Sequence, residues 1–198
     1  MTDLPPPTQS SDQFAYRIGS EIRHLRKAKG LIIADLAAQT GLSVGYISQV
    51  ERSLSIPSIK ALHALSHALG VTVSWFFHPE TDDEEELRDV VVRREARRVL
   101  TFDNSIRDEL LSPNLGRELE LLRSVFPPGT SSGPIPYTHK GEEAGLVATG
   151  ALTLWVGERE IHLKEGDSFA FSSEEPHRYA NLTELECVVI WAITPPSY

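Results

Sequence analysis

Only one cysteine, Cys187, stands in the 198 residues. One thiol cannot form an internal disulfide, so nothing in the sequence points to an oxidising compartment. No hydrophobic run approaches the roughly 18 residues that span a bilayer. The opening stretch, MTDLPPPTQSSDQ, lacks the basic start and apolar core of a secretory signal. These absences predict a cytoplasmic chain with no membrane partner. No internal repeat is visible. Hydrophobic residues make up 40 %, enough for ordinary cores, and the length fits one large domain or two of about 70–120 residues.

Basic charge is also scarce overall, with a net charge of −9, but it is unevenly spread. From Phe14 to His78 seven Lys or Arg face three acidic residues, leaving that stretch at +4 and the remainder at −13. A basic head on an acidic body predicts a polyanionic partner for the head alone.

Residues 1–13 are proline-rich and read as a disordered tail. Residues 14–79 carry helical periodicity. Ile18, Ile22 and Leu25 precede Gly30; Ile33, Leu36 and Ala37 precede Gly41. Ser43 is placed to cap a third helix with Ile47 and Val50. Pro57 and Ser58 open a fourth with Ile59, Leu62, Leu65 and Leu69, and Val73–Phe77 make a short fifth. Residues 80–99 read as a linker, with the dense negative charge of TDDEEE (81–86) as a solvated hinge. The basic run RREARRV that follows admits a strand edge, a helix or a phosphate contact. From 100 to 198 short β-type runs alternate with turn signals, the pattern of a sandwich or barrel.

The segment DLAAQTGLSVGYISQVE carries a helix-turn-helix register. Ala37 is small where a second helix crosses, Gly41 sits where the chain needs positive φ, and Leu42 and Ile47 plug the angle between the helices. The first turns of the third helix present Ser43, Val44, Gly45, Tyr46, Ser48 and Gln49 to a major groove. Gln49 suits an adenine edge and Val44 a thymine methyl, while Arg52 is placed for phosphate. Residues 16–78, including IPSIKALHALSHALG, resemble the phage-repressor-type (XRE) helix-turn-helix. Where that family has Ser or Thr then Gln at the start of the second helix, this chain has Ile32 and Ile33, so the capping hydroxyl is missing. The resemblance implies that Glu51 pairs inward rather than touching DNA.

In the C-terminal half, YTHKGEEAGLVATG (137–150) and GDSFAFSSEEPHRYAN (166–181) join histidines to carboxylates on β-type segments. His139, Glu143 and His177 offer nitrogen and oxygen donors suited to Zn, Mn, Fe or Ni. His162, in an alternating strand, reads as a satisfied core group. The two segments resemble the motifs of a cupin barrel: His139, Glu143 and Gly150 match the first motif, with Tyr137 where a histidine is usual, and Gly166, Pro176, His177 and Asn181 match the second. The fold expected is therefore α + β in two domains, a five-helix phage-repressor-like head and a cupin (double-stranded β-helix, jelly-roll) barrel.

Two uses of the barrel stay open: a divalent metal on His139, Glu143 and His177, or polar anchors for an organic effector. The fusion, with PGTSSG and the ending ITPPSY, resembles the putrescine-utilisation repressor branch, which implies a polyamine or amino-acid-like amine. The acidic body leans the same way, with Glu142, Glu143, Glu174 and Glu175 crowding the motifs. Carboxylates and aromatic faces would hold a cation, and Tyr137, Trp155, Phe171 and Trp191 supply candidate faces. The function expected is a non-enzymatic transcriptional regulator: a homodimer on a palindromic operator, releasing DNA on binding effector. The alternative is a metal-dependent cupin enzyme with a DNA-binding appendage.

Overall fold

The computed structural model describes residues 8–77, 87, 89–101 and 105–197. The chain divides into two compact units, one up to His78 and one from Pro79 to Ser197. The acidic run 81–86 lies outside the described residues.

Among the described residues the first unit holds four α-helices: α1 (Thr8–Ala28), α2 (Ile33–Thr40), α3 (Val44–Glu51) and α4 (Ile59–Ala68). The fifth expected helix is one 3-10 turn, Val73–Phe76, which drives Trp75 and Phe76 into the core at 2 % exposure each. α1 starts at Thr8, inside the stretch expected to be a tail. From Thr8 onward there is no proline or glycine until Gly19, so nothing local stops the helix short of PPP. Ile18, Ile22, Leu25, Leu36, Ile47, Val50, Leu62, Leu65 and Leu69 make the core. Ile59, expected with them, is 78 % exposed; it is the first residue of α4, ahead of the buried stripe.

α1 packs on α3 through Gly19, where a Cβ would lie 2.3 Å from the Val50 carbonyl oxygen. Only a missing side chain allows that approach. Ile32 does lack a capping hydroxyl, yet the Asp35 carboxylate accepts the Ile32 N–H at 2.9 Å, so α2 keeps half of a capping box.

The second unit is two antiparallel sheets. Its strands are β1 (Arg98–Thr101), β2 (Arg107–Leu110), β3 (Glu120–Phe126), β4 (Glu142–Thr149), β5 (Ala151–Val156), β6 (Arg159–Lys164), β7 (Ser168–Ser172), β8 (His177–Ala180) and β9 (Cys187–Thr194). The large sheet runs β1-β2-β3-β9-β4-β7 and the small one β6-β5-β8. RREARRV resolves into a 3-10 turn, Arg94–Ala96, and the start of β1.

Register places three inward rows on the large sheet: Asp108, Ser124, Val189 and Val147; then Leu110, Leu122, Trp191, Gly145 and Phe169; then Glu120, Ile193, Glu143 and Phe171. The small sheet answers with Leu154, Val156, His177 and Tyr179. The faces meet where Tyr179 packs 5.3 Å from both Phe126 and Trp191. The result is the β-barrel expected of a cupin.

Candidate functional site

The helix-turn-helix is assembled from local rules. Gly41 ends α2 in the left-handed conformation, φ 70°, and its N–H bonds the Ala37 carbonyl at 2.9 Å. Ser43 then caps α3, its hydroxyl accepting the Tyr46 N–H at 3.1 Å. Ile47 and Val50 are fully buried, whereas Leu42 is half-buried. Glu51 turns inward onto Arg26 of α1, through Nε at 2.6 Å and Nη2 at 2.8 Å. A third arginine nitrogen donates to the Leu31 carbonyl at 2.7 Å.

This leaves one face of α3 outward. Ser43, Val44, Gly45, Gln49 and Arg52 are exposed, and Tyr46 and Ser48 are half-buried. The Ser43 hydroxyl, acceptor to Tyr46, keeps its own proton for an acceptor outside. Nothing lies within 4 Å of where a Cβ on Gly45 would stand, so the helix backbone is open to close approach. The Tyr46 hydroxyl accepts from the Ser58 N–H at 3.4 Å, tying the reading face to the start of α4. Arg52 donates from Nε to the Ser48 carbonyl at 3.1 Å.

In the barrel, β4 and β8 bring Glu143 to His177, and the segment before β4 brings His139. One carboxylate oxygen, Glu143 Oε1, lies 2.6 Å from His139 Nε2 and 3.1 Å from His177 Nε2. Both rings are turned by their other nitrogen: His177 Nδ1 sits 2.8 Å from the Glu175 carbonyl, and His139 Nδ1 3.2 Å from that of Lys140. A proton on Nδ1 leaves each Nε2 as a donor lone pair. The three ligand atoms fall within 4.8 Å of one another, and His177 Nε2 is buried with no hydrogen bond of good geometry. That donor set fits a divalent metal. Burial works against a charged His177, but the Glu143 carboxylate and the Glu175 carbonyl outweigh it and raise its pKa.

Tyr137 exchanges two backbone bonds with His177, both 3.0 Å, and its ring lies 4.3 Å from the imidazole. Phe171 closes on the other side at 5.0 Å. Trp191 stands further along, 5.0 Å from Phe169. Desolvation and the Glu143 charge raise the Tyr137 pKa, and desolvation with the Tyr137 and Asp108 charges does the same for Tyr179.

Trp155 is not part of this group. It pairs with Arg178, so it faces outward when its neighbour Val156 pairs with His177. The Arg178 guanidinium lies 3.5 Å over its ring, and Glu160 accepts its N–H at 2.9 Å. Glu142, Glu174 and Glu175 are exposed, so of the four crowded acids only Glu143 is interior. His162 is not a core group: it is an exposed side chain beside Thr153 and Glu160. Asn181 is a structural pin, fully buried and donating to the Phe126 and Leu185 carbonyls at 2.9 and 2.7 Å.

Sequence reasoning missed Tyr179, Phe169 and Asp108. Period-2 spacing carried the signal in each case: Tyr179 shares a face with His177, Phe169 with Phe171, and Asp108 stands between the buried Ile106 and Leu110.

A helix-turn-helix with one face of α3 exposed, and a barrel with a buried carboxylate–imidazole–aromatic interior, are the parts of a DNA-binding transcriptional regulator with a cupin domain. Residues 22–76 match the Helix-turn-helix family and residues 122–193 the Cupin domain family. The HTH-type transcriptional regulator PuuR of Escherichia coli (strain K12) is 29% identical over 181 residues, covering 91% of this chain and 96% of that protein. The HTH-type transcriptional regulator SlrR of Bacillus subtilis is 34% identical over 105 residues, covering 46% of this chain and 69% of that protein. A crystal structure of an HTH_3 family transcriptional regulator from Vibrio cholerae is 24% identical, covers 93% of this chain and 98% of that one, and superposes with a TM-score of 0.44. The chain belongs to the HTH-type transcriptional regulators, with a helix-turn-helix domain joined to a cupin domain. No helix among the described residues is long and apolar enough to cross a membrane.

Proposed function

We propose that the protein is an amine-responsive repressor of the cytoplasm. Residues 14–79 form the DNA-reading domain and residues 100–198 the sensing domain, joined through 80–99. A homodimer sets two copies of α3 about one DNA turn apart on a palindromic operator. Ser43, Val44, Gly45, Tyr46, Ser48, Gln49 and Arg52 make the contacts, Gln49 and Val44 reading bases and Arg52 holding phosphate.

The effector is a cationic amine held among Tyr137, His139, Glu143, Phe171, His177 and Trp191. One observation carries this reading. Glu143 is 3 % exposed and meets His177, whose ring lies 4.3 Å from that of Tyr137 and 5.0 Å from that of Phe171. Aromatic faces around a buried carboxylate are the surroundings that suit an ammonium group. Amine binding favours one dimer arrangement, and only a difference in affinity between arrangements can weaken operator binding.

The test is operator-fragment affinity measured with and without a panel of polyamines, amino acids and simple amines. Weaker DNA binding with an amine supports the repressor reading. Unchanged DNA affinity across a panel that does bind the barrel removes it.

A second reading is favoured by the convergence of His139, Glu143 and His177. These residues would hold a divalent metal, Zn, Mn, Fe or Ni, which would supply a Lewis acid to an oxygen or nitrogen of the effector. The protein acts by binding rather than as an enzyme, in keeping with the names of its relatives. Elemental analysis of the purified chain, followed by turnover assays on any metal-replete sample, separates these readings.

A further inference from the structure

Asp108 presents a different carboxylate to the same interior. It stands on β2, with β3 and β9 between it and β4, which carries Glu143. It lies in a different inward row from Glu143. The residue is 9 % exposed, and its Oδ1 is buried without a hydrogen-bond partner. Its hydrogen bond comes from the Ser124 hydroxyl, its cross-strand neighbour.

The adjacent residue shows what a structural carboxylate receives here. Glu109, on the opposite face of β2, is met by three arginines: Arg97 at 3.1 Å, Arg107 at 3.2 Å and Arg123 at 2.9 Å. Among the described residues no cation pairs with Asp108. A desolvated carboxylate without a counter-charge is costly, and its unpartnered buried oxygen is a place to receive a ligand's donor.

The groups facing Asp108 point to that ligand's chemistry. Its row lies between the rows of Phe126 and Trp191, Tyr179 packs with its ring 5.3 Å from both of those, and the Tyr137 ring stands 6.4 Å from that of Tyr179. A carboxylate, a serine and two tyrosines offer acceptor oxygens and π faces, the surroundings of an ammonium group. An anionic ligand group would meet the like charge of Asp108.

We infer that Asp108, with Ser124, Tyr137 and Tyr179, is a binding site for a cationic nitrogen of the effector, separate from the His139–Glu143–His177 group. This inference rests on the amine reading above. It makes Asp108 a ligand anchor in a row of its own and leaves the three donors on β4, β8 and the segment before β4 free for a metal or for another part of the same molecule.

The full chain and its Asp108→Asn variant are titrated calorimetrically at pH 8 with 1,4-diaminobutane, with 1,4-butanediol as the neutral probe of equal length. The expected result is diamine binding to the wild type, none by the diol, and at least tenfold weaker diamine binding by the variant. Zn2+ titrated into both proteins should behave alike, because its candidate ligands are untouched. Asp108→Ser, smaller and also neutral, repeats the test if the amide variant does not fold. Equal diamine affinity in wild type and variant overturns the assignment of Asp108 while the amine reading stands. Binding of the diol as tightly as the diamine overturns the cationic site. Absence of diamine binding to the wild type, together with no response to the amine panel above, fails the amine reading and this inference together.

Discussion

Glu51, the last residue of α3, is locked to Arg26 of α1 by two hydrogen bonds, 2.6 and 2.8 Å long, with both side chains buried. The pair orients α3 from its buried side. Removing one partner strands a buried charge, at a cost of about 3–5 kcal/mol. Glu51→Ala should therefore lower the denaturant midpoint of the DNA-binding domain sharply. The double variant Arg26→Met/Glu51→Leu should recover most of that loss. A double variant no more stable than the single one would show that the pair matters for more than charge balance.

Gly19 makes the α1–α3 crossing close. A Cβ there would sit 2.3 Å from a backbone oxygen of Val50, and backbone cannot swing aside as a side-chain tip can. Gly19→Ala gains helix propensity but forces the helices apart, for a net loss of about 1–3 kcal/mol. Thermal unfolding checks it, and a stabilised variant would mean that the crossing is looser than the geometry indicates.

On the reading face, Gln49→Ala should cost roughly 1–3 kcal/mol of operator affinity and relax the preference at one base pair. Arg52→Ala should weaken binding to all sequences about equally and flatten the salt dependence by about one unit of slope. Binding to a set of single-base operator variants at two salt concentrations separates the two behaviours. Both residues are exposed, so neither change should alter the melting temperature much.

Asp108 predicts a pH dependence. Burial, opposed by the Ser124 hydrogen bond, lifts its pKa from 3.8 to about 6. A carboxyl raised in the folded state favours folding when protonated. That contribution is present below about pH 4 and is lost as the pH rises to about 6. Above pH 6 the buried charge costs the ligand-free fold on the order of 3 kcal/mol. Asp108→Asn should accordingly raise the unfolding temperature at pH 8, with the gain shrinking toward pH 4. A gain independent of pH would point to packing rather than ionisation.

Much of this molecule was legible from residue order because its signals are local. Gly41, Ser43 and the apolar spacing around Ile47 are each governed by neighbours within one helical turn. His139, Glu143 and His177 were legible as a group through their likeness to cupin motifs, although three separate segments supply them. Trp155 misled because composition cannot tell the faces of a strand apart. A shift of one residue moves a side chain from the interior to solvent, and Trp155 and Val156 differ by that shift. Asp108 was overlooked for the opposite reason: its period-2 position was readable, but a single acid in RDEL carries no motif. The helix α1 outran its expected start because composition describes a tendency, while the helix ends where geometry stops it.

The paired backbone bonds between Tyr137 and His177 have a use besides placing two rings. β8 is the outermost strand of the small sheet, and its free side is met by the segment preceding β4 at Ser131–Ala180 and again at Tyr137–His177. That segment serves as a cover strip over an otherwise exposed edge, where a neighbouring chain could add a strand of its own. Any ligand that displaces Tyr137 thus also unzips part of this cover, and self-association of the sheet becomes the hazard the closed form avoids.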